Sequence, residues 1–180
     1  PASGGLESLI DKHSGREWVP EGSLSGLLQY NVEAHEGMTA WVIGQFLKRE
    51  NLLDGGRLVR VHAGPYVNSY RWTRTVSHSR LELEITLRQG SPRLEYQLSV
   101  DWREMGSREQ GIPHLRVRFP LALDEGRARY DIPFGAISRN LHSGQEVPAQ
   151  RWADVSGEDG AGATLTNASK YGHSLDGNSL

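Results

Sequence analysis

The sequence predicts an all-β protein built as a large antiparallel β-sandwich, and three observations lead to this prediction. Apolar and polar residues alternate without a break over residues 81–88, so that the apolar ones would share one face of a strand. The same period of two recurs over residues 94–102 and 115–121, and turns rich in glycine separate such runs at short intervals. Signals for helices are weak, and even residues 45–53 fit either a short helix or an irregular loop.

The individual elements follow from these patterns and from turn chemistry. Residues 81–88 and 94–102 flank a Gly- and Pro-containing turn, which predicts a long antiparallel hairpin. Pro113 and Pro120 bracket the third alternating run and therefore predict an edge strand or a bulge there. Further strands are predicted over residues 5–10, 27–34, 39–47, 57–63, 66–76, 127–134 and 162–166.

The length and the two ends of the chain bear on domain organisation. With 180 residues, the chain has the length of one domain or at most two small ones, and we predict a single β-sandwich domain over residues 1–180. Residues 140–160 are rich in Gly, Ser, Pro and charge, which predicts a long loop region. Residues 175–180 resemble a turn entering a further strand, so we expect a fragment that is truncated at its C-terminal end.

Composition disfavours several classes of function. The 20 basic and 22 acidic residues give a net charge of −2 without a block of like charge, which gives no support to nucleic acid or anionic membranes as partners. The absence of cysteine excludes disulfides, thiolate metal sites and a thiol nucleophile within the chain. It also fits a reducing compartment, and we expect a cytoplasmic protein.

Histidines and acids that could act in catalysis or metal binding are present, but their spacing in the sequence does not indicate an active site or a metal site. None of the seven histidines has the spacing of a metal-binding pair. Five acids could in principle form the carboxylate pair of a glycosidase, but turns and exposed strand faces are their more frequent setting. These acids are Asp101, Glu104, Asp131, Glu146 and Asp154. We predict that the chain contains no catalytic and no metal-binding residues.

The five tryptophans divide into two groups. Trp41, Trp72 and Trp102 lie in strand-like runs and are predicted to pack in the core. Trp152 lies instead among polar residues without clear periodicity, so an interface and a ligand remain equally open for it.

Three late segments resemble a known family. They are Asp131–Gly135 (DIPFG), Val147–Trp152 (VPAQRW) and Ser169–Gly172 (SKYG), and they resemble motifs that occur in this order in α-mannosidases of glycoside hydrolase family 38. Weaker matches extend the resemblance over nearly the whole chain. The resemblance implies a β-sandwich of the galactose mutarotase-like type, from the C-terminal part of such an enzyme.

The resemblance also implies where the chemistry of the parent enzyme lies. Family members carry a divalent metal, usually zinc, and an Asp nucleophile on an N-terminal α/β barrel, which a helical bundle follows. They hydrolyse α-mannosides with retention through a covalent intermediate. This chain matches none of those segments, so no catalytic residue is transferred to it, and we expect the isolated fragment to be inactive and to contain no cofactor. Its expected partners are the barrel and the helical domain of the same parent chain, which the resemblance implies to be bacterial.

The resemblance places the late loops at the rim of the active site, against the barrel and its α-mannoside substrate. The residues expected there are Gln150, Arg151, Trp152, Asp154, Lys170 and Tyr171. The planar guanidinium of Arg151 would suit sugar hydroxyls or a carboxylate of the barrel. A carbohydrate-binding module that binds glycans by itself is the alternative, and a mutarotase-type epimerase, which would need a His/Glu pair in the cleft of the sandwich, is a third possibility.

Overall fold

The computed structural model describes residues 3–38, 43–139 and 143–180, and all regular secondary structure in these ranges is β-strand. The strands are β1 (Leu27–Glu33), β2 (Phe46–Asn51), β3 (Arg57–Ala63), β4 (Val67–Val76), β5 (Ser79–Arg88), β6 (Leu94–Asp101), β7 (Ile112–Arg118), β8 (Arg127–Ile132), β9 (Gly135–Ser138), β10 (Ser143–Pro148), β11 (Trp152–Ser156), β12 (Gly162–Thr166) and β13 (Gly172–Asp176). The strand pairs with a defined register are antiparallel. The predicted all-β antiparallel fold class is confirmed. Among the described residues, no helix is long and apolar enough to cross a membrane.

The chain divides into two compact units. The first unit consists of the residues up to Gly5 together with Leu27–Val117, and the second consists of Leu6–Gly26 and Arg118–Leu180. Each unit contains two sheets and a hydrophobic core of its own. The prediction of one domain over residues 1–180 stays a prediction.

The first unit combines a three-stranded sheet, in the order β2-β1-β7, with a four-stranded sheet, in the order β3-β4-β5-β6. Its core takes side chains from both sheets, among them Leu28 of β1, Trp72 of β4 and Leu83 of β5. Burying apolar side chains between two sheets is what alternation with a period of two favours. The long predicted hairpin is confirmed as β5 and β6, and the predicted edge strand is confirmed as β7.

The second unit combines a four-stranded sheet, in the order β12-β11-β8-β9, with the pair β10-β13. Tyr130 of β8, Val155 of β11 and Leu175 of β13 are fully buried in its core. Strand β11 is central in the four-stranded sheet, so its short inward residues Ala153 and Val155 pack beneath both neighbouring strands.

Three sequence predictions about elements are wrong. Residues 5–10 form only two isolated bridges, because the carboxylate of Glu17 accepts the N–H of Leu9 that a ladder would have used. Residues 45–53 are neither helix nor loop, because β2 pairs with β1. Residues 140–160 contain β10 and β11 rather than one long loop.

The tryptophan predictions have mixed outcomes. Trp72 is 1% exposed, as the core prediction requires. Trp102 is partly buried, and its ring lies 6.1 Å from that of Tyr30. Trp41 and the start of the predicted strand 39–47 lie outside the described residues.

Candidate functional site

Three turns meet at one end of the second unit, which we call the loop end. They are Pro133–Phe134 between β8 and β9, Ala149–Arg151 between β10 and β11, and Asn167–Tyr171 between β12 and β13. Backbone hydrogen bonds link the second and third of these turns to each other, and the second also to the end of strand β8. The N–H of Gln150 donates to the carbonyl of Asp131 (3.0 Å), that of Ala149 to Tyr171 (2.9 Å), and that of Asn167 to Arg151 (2.8 Å). The two sequence segments predicted to act together are therefore neighbours.

Side-chain hydrogen bonds to the backbone fix the shape of these turns. The Asp131 carboxylate accepts the backbone N–H of Arg151 at 3.0 Å. The Asn167 side-chain oxygen accepts the N–H groups of Ser169 (3.1 Å) and Lys170 (2.6 Å). An Asx turn of this kind holds the chain without help from a ladder. The loop end thus has a fixed backbone.

Four of the predicted site residues project outward from this backbone. Gln150, Arg151, Lys170 and Tyr171 are exposed, and Tyr171 keeps 58% of its surface accessible. In the described part of the chain, neither Arg151 nor Lys170 has a carboxylate within ion-pair distance. The loop end therefore offers two cations and a phenol as donors to an external group.

The other two predicted site residues lie on a sheet face next to the loop end. Trp152 and Asp154 alternate with the core residues of β11 and are half-buried on the opposite face of the sheet. Arg129 of β8 is the cross-strand partner of Asp154, and its guanidinium lies 6.0 Å from the Trp152 ring. The structure thus separates the six predicted residues into a loop set and a sheet-face pair.

Asp154 is electrostatically unusual. One carboxylate oxygen is buried and has no hydrogen-bond partner among the described residues. Burial raises the pKa of Asp154, and the positive charge of Arg129 opposes this shift only in part.

Two residues of the loop end were not recognised from the sequence as its parts. Asp131 was a candidate acid by type only, yet its carbonyl and its carboxylate hold the Ala149–Arg151 turn against the end of strand β8. Phe134 is fully exposed at the tip of the β8–β9 turn with a positive φ of 68°. A Pro–Phe–Gly order within a two-residue hairpin loop is the signal that could have revealed it.

Candidate acids and histidines elsewhere do not form a metal site. In the residues that the structure covers, no group of three or more His, Asp or Glu side chains could hold a metal ion. Asp101 pairs with Arg103 at 2.8 Å, and Glu104 accepts hydrogen bonds from the Ser79 hydroxyl and the His78 N–H, both at 2.8 Å. These residues do not fit the metal that the resemblance implies for the parent enzyme, so we derive no step through it here.

Comparison with known proteins identifies the family. The family described as "Glycosyl hydrolases family 38 C-terminal domain" matches residues 1–180. The chain belongs to this family. Two relatives, both named "Alpha-mannosidase 2C1", from Mus musculus and Homo sapiens, are each 30% identical over 189 residues. The match covers 99% of this chain but 18% of each relative, so the family 38 domain spans less than a fifth of their length.

A solved structure shares the fold of this family 38 chain. It is the crystal structure of a protein in the glycosyl hydrolase family 38 from Enterococcus faecalis, with a TM-score of 0.76 at 13% identity. The superposition covers 99% of this chain and 24% of that protein. Family membership and fold predicted from the sequence are thus confirmed.

Proposed function

We propose that this chain is the non-catalytic C-terminal β domain of an α-mannosidase, which packs on the catalytic barrel and shapes the rim of the active site. Membership of family 38 and the α-mannosidase relatives support the parent activity, retaining hydrolysis of α-mannosides. The observation that carries the rim role is the pair of hydrogen-bonded turns, Ala149–Arg151 and Asn167–Tyr171, that present Arg151, Lys170 and Tyr171 outward.

The chemistry of the loop end suits this role. Arg151 supplies a permanent cation whose planar N–H groups can bind sugar hydroxyls or a barrel carboxylate in two-pronged fashion. Tyr171 offers an apolar ring with a hydroxyl at its tip, which suits a surface that meets both protein and sugar. Because the backbone beneath both is fixed by hydrogen bonds, little entropy is lost when they engage.

The parent enzyme would supply the reactive groups. The proposed partners are a catalytic barrel and a helical domain of the same polypeptide, with an α-mannoside at their junction. The proposal also places the divalent metal, zinc, in that barrel and not in this chain. The proposed parent is a cytoplasmic bacterial enzyme, and the absence of cysteine from this chain fits a reducing compartment.

Replacing Arg151 tests the proposal in the full-length enzyme. We expect Arg151→Ala to lower kcat/KM for p-nitrophenyl α-mannoside by about tenfold or more, because a charge-assisted hydrogen bond is worth about 1.5–3 kcal/mol. Arg108→Ala is the matched control, since Arg108 is an equally exposed arginine in the first unit. Unchanged hydrolysis and unchanged thermal stability of Arg151→Ala would contradict the rim role. Hydrolysis by the purified, folded 180-residue chain would contradict the non-catalytic assignment.

A carbohydrate-binding module is the second candidate, and the sheet-face pair favours it. The half-buried ring of Trp152, the Asp154 carboxyl and the Arg129 guanidinium share one face of β8 and β11. A flat ring beside polar groups is a setting in which a sugar can stack and bind. Titration with manno-oligosaccharides would then change tryptophan fluorescence, and Trp152→Ala would abolish that change while Trp18→Phe would not.

A further inference from the structure

The tip of the β8–β9 hairpin carries Phe134, a residue that the turn itself does not require. Ile132 pairs with Gly135, so Pro133 and Phe134 alone form the turn. Proline at the first loop position fixes φ near −65°, and Phe134 follows with a φ of 68°. This is the pattern of a type II turn, whose second position favours glycine because a side chain there is strained.

The local sequence contains the glycine that such a turn prefers, but one position too late. Gly135 does not have a positive φ, and nothing lies within 4 Å of where its Cβ would be. A glycine at 134 followed by a side chain at 135 would therefore suit the hairpin better. The observed order places a phenyl ring at the strained position instead.

Within the described chain, no stabilising contact of the Phe134 side chain compensates for the strained backbone. Its relative exposure is 110%, the highest among the large apolar side chains that the structure describes. No ring or cation contact involves it among the residues that the structure describes. A strained and fully exposed aromatic side chain is unfavourable unless another surface covers it.

The backbone that carries the ring is nevertheless constrained on both sides by its short turn and by the loop beside it. Asp131, two residues before the turn, anchors the neighbouring loop through its carbonyl and its carboxylate. A two-residue turn leaves little freedom at the tip, so burying the ring would cost little additional order. Aromatic residues on fixed supports are enriched in the buried centres of interfaces.

We propose that Phe134 is the anchor by which the loop end docks into an apolar pocket on another domain of the same polypeptide. The inference rests on the proposed function, because it takes the catalytic part of the parent as the partner. The chain spans 18% of its relatives, so most of such a polypeptide lies outside it. One phenyl ring buries about 150–250 Å², far less than the roughly 800 Å² per partner of a stable complex between separate chains. A covalently linked partner needs less area, because its effective concentration is high.

Photocrosslinking in the full-length enzyme tests the docking directly. With p-benzoylphenylalanine at position 134, we expect an intramolecular crosslink to a segment outside these 180 residues, located by peptide mass spectrometry. Position 66 is the matched control, because Tyr66 is a 74%-exposed aromatic at the β3–β4 turn of the first unit. Crosslinking at 134 that does not exceed this control, or that joins two copies of the enzyme, overturns the proposal.

Two substitutions at the same position provide a second measurement. If Phe134 is an anchor, Phe134→Ala and Phe134→Gly both lower the Tm of the full-length enzyme, by about 2–4 °C or more. If the ring is free, Phe134→Gly leaves the Tm unchanged or raises it, because glycine relieves the strained φ. An increase in KM with an unchanged Tm would assign the ring to substrate and overturn the docking.

The two proposals can fail separately. A crosslink at 134 together with unaffected hydrolysis in Arg151→Ala would retain the docking and reject the rim role. Impaired hydrolysis in Arg151→Ala without a crosslink at position 134 would retain the rim role and reject the docking.

Discussion

At the scale of single residues, the structure distinguishes a glycine that packing requires from one that only the backbone requires. Gly4 and Gly15 both have a φ of 74°. A Cβ on Gly4 would lie 2.8 Å from Cγ of Trp72, whereas the space around Gly15 is open. Since Trp72 is fully buried in the core of the first unit, its indole cannot move aside without disturbing Leu83 and other core residues.

Alanine at these two positions should therefore have different effects. We expect Gly15→Ala to lower the free energy of unfolding by about 1 kcal/mol, from the left-handed φ alone. Gly4→Ala should cost roughly 2–4 kcal/mol, because overpacking against Trp72 adds to the same backbone strain. Denaturant unfolding followed by tryptophan fluorescence measures both, and equal losses would contradict the close approach to the indole.

His114 makes stability depend on pH. Burial lowers the pKa of His114 to about 4, and the positive charges of Arg116 and Arg49 add to this shift. Both ring nitrogens are buried without a hydrogen-bond partner in the described part of the chain, and the ring lies 5.6 Å from that of Phe46. The folded state thus favours neutral imidazole more strongly than the unfolded chain does.

The sign of the effect follows from this preference. Above pH 6.5 the imidazole is neutral in both the folded and the unfolded state, so it does not reduce the free energy of unfolding. Between about pH 6.5 and pH 4 the unfolded state binds the proton and the folded state does not, so the free energy of unfolding falls as the pH is lowered. We expect the loss from His114 to reach roughly 1–3 kcal/mol and to be removed in His114→Phe. Burial also lowers the pKa of His173, so a smaller loss remains in His114→Phe and is removed only when His173→Gln is added. A pH profile that is identical for the wild type and His114→Phe would refute this origin.

At the scale of elements, periodicity predicted strands well where inward residues are large and poorly where they are small. Strands β5 and β6 alternate Leu, Ile and Val with polar residues, and both were predicted. Strand β11 alternates equally well in burial, but Ala153 is a weak apolar signal and Trp152 faces away from the core. Strand β2 is an edge strand of charged residues, and its pairing with β1 overrides its composition. A short stretch of sequence does not reveal which distant strand it will pair with.

The segment 6–26 is held by a side chain rather than by a ladder. The Glu17 carboxylate accepts hydrogen bonds from the Ser8 hydroxyl and from the backbone N–H groups of Val19 and Leu9. These bonds, with Ser8 contributing most, lower the pKa of Glu17 to about 2. By accepting hydrogen bonds from two backbone N–H groups, the carboxylate takes the place of the carbonyl groups that a neighbouring strand would have offered to them.

Removing this charge should weaken the segment and reduce its response to acid. The pKa of Glu17 is lower in the folded state, so its stabilising effect is present above pH 4.5 and is lost as pH falls toward 2. We expect Glu17→Gln to be less stable at pH 7, to unfold less steeply below pH 4.5, and to show faster amide exchange at Leu9 and Val19. Glu7→Gln, an exposed acid in the same segment, is the control and should change neither property.

At the scale of the whole molecule, the sequence indicated which late segments belong together better than it indicated how they are arranged. The motifs at 147–152 and 169–172 pointed to the loop end, because short polar loops on a β scaffold often form contacts. Their proximity depends on hydrogen bonds from Asp131 and Asn167 to neighbouring backbones, which no sequence spacing encodes. The separation of Trp152 and Asp154 from the loop set likewise follows from strand β11, which composition concealed.

The division into two units predicts which strands a destabilising substitution in one core should affect. Leu81 and Leu175 are both completely buried, one in the core of each unit, so Leu→Ala creates the same chemical loss in each. Each substitution should cost about 2–5 kcal/mol. In the described residues, every strand pair with a defined register lies within one unit, so local opening need not cross between them.

Hydrogen–deuterium exchange of the full-length enzyme measures this spread strand by strand. We expect Leu81→Ala to accelerate exchange in β4, β5 and β6 and to leave β8 and β11 near the wild-type rates. Leu175→Ala should do the opposite, with the largest change in β10 and β13, because those strands pair directly. Since the two variants remove the same atoms, any difference in pattern reflects the location of the core. Equal acceleration in both units by either variant would mean that the chain unfolds as one cooperative body, and that the two cores are thermodynamically one.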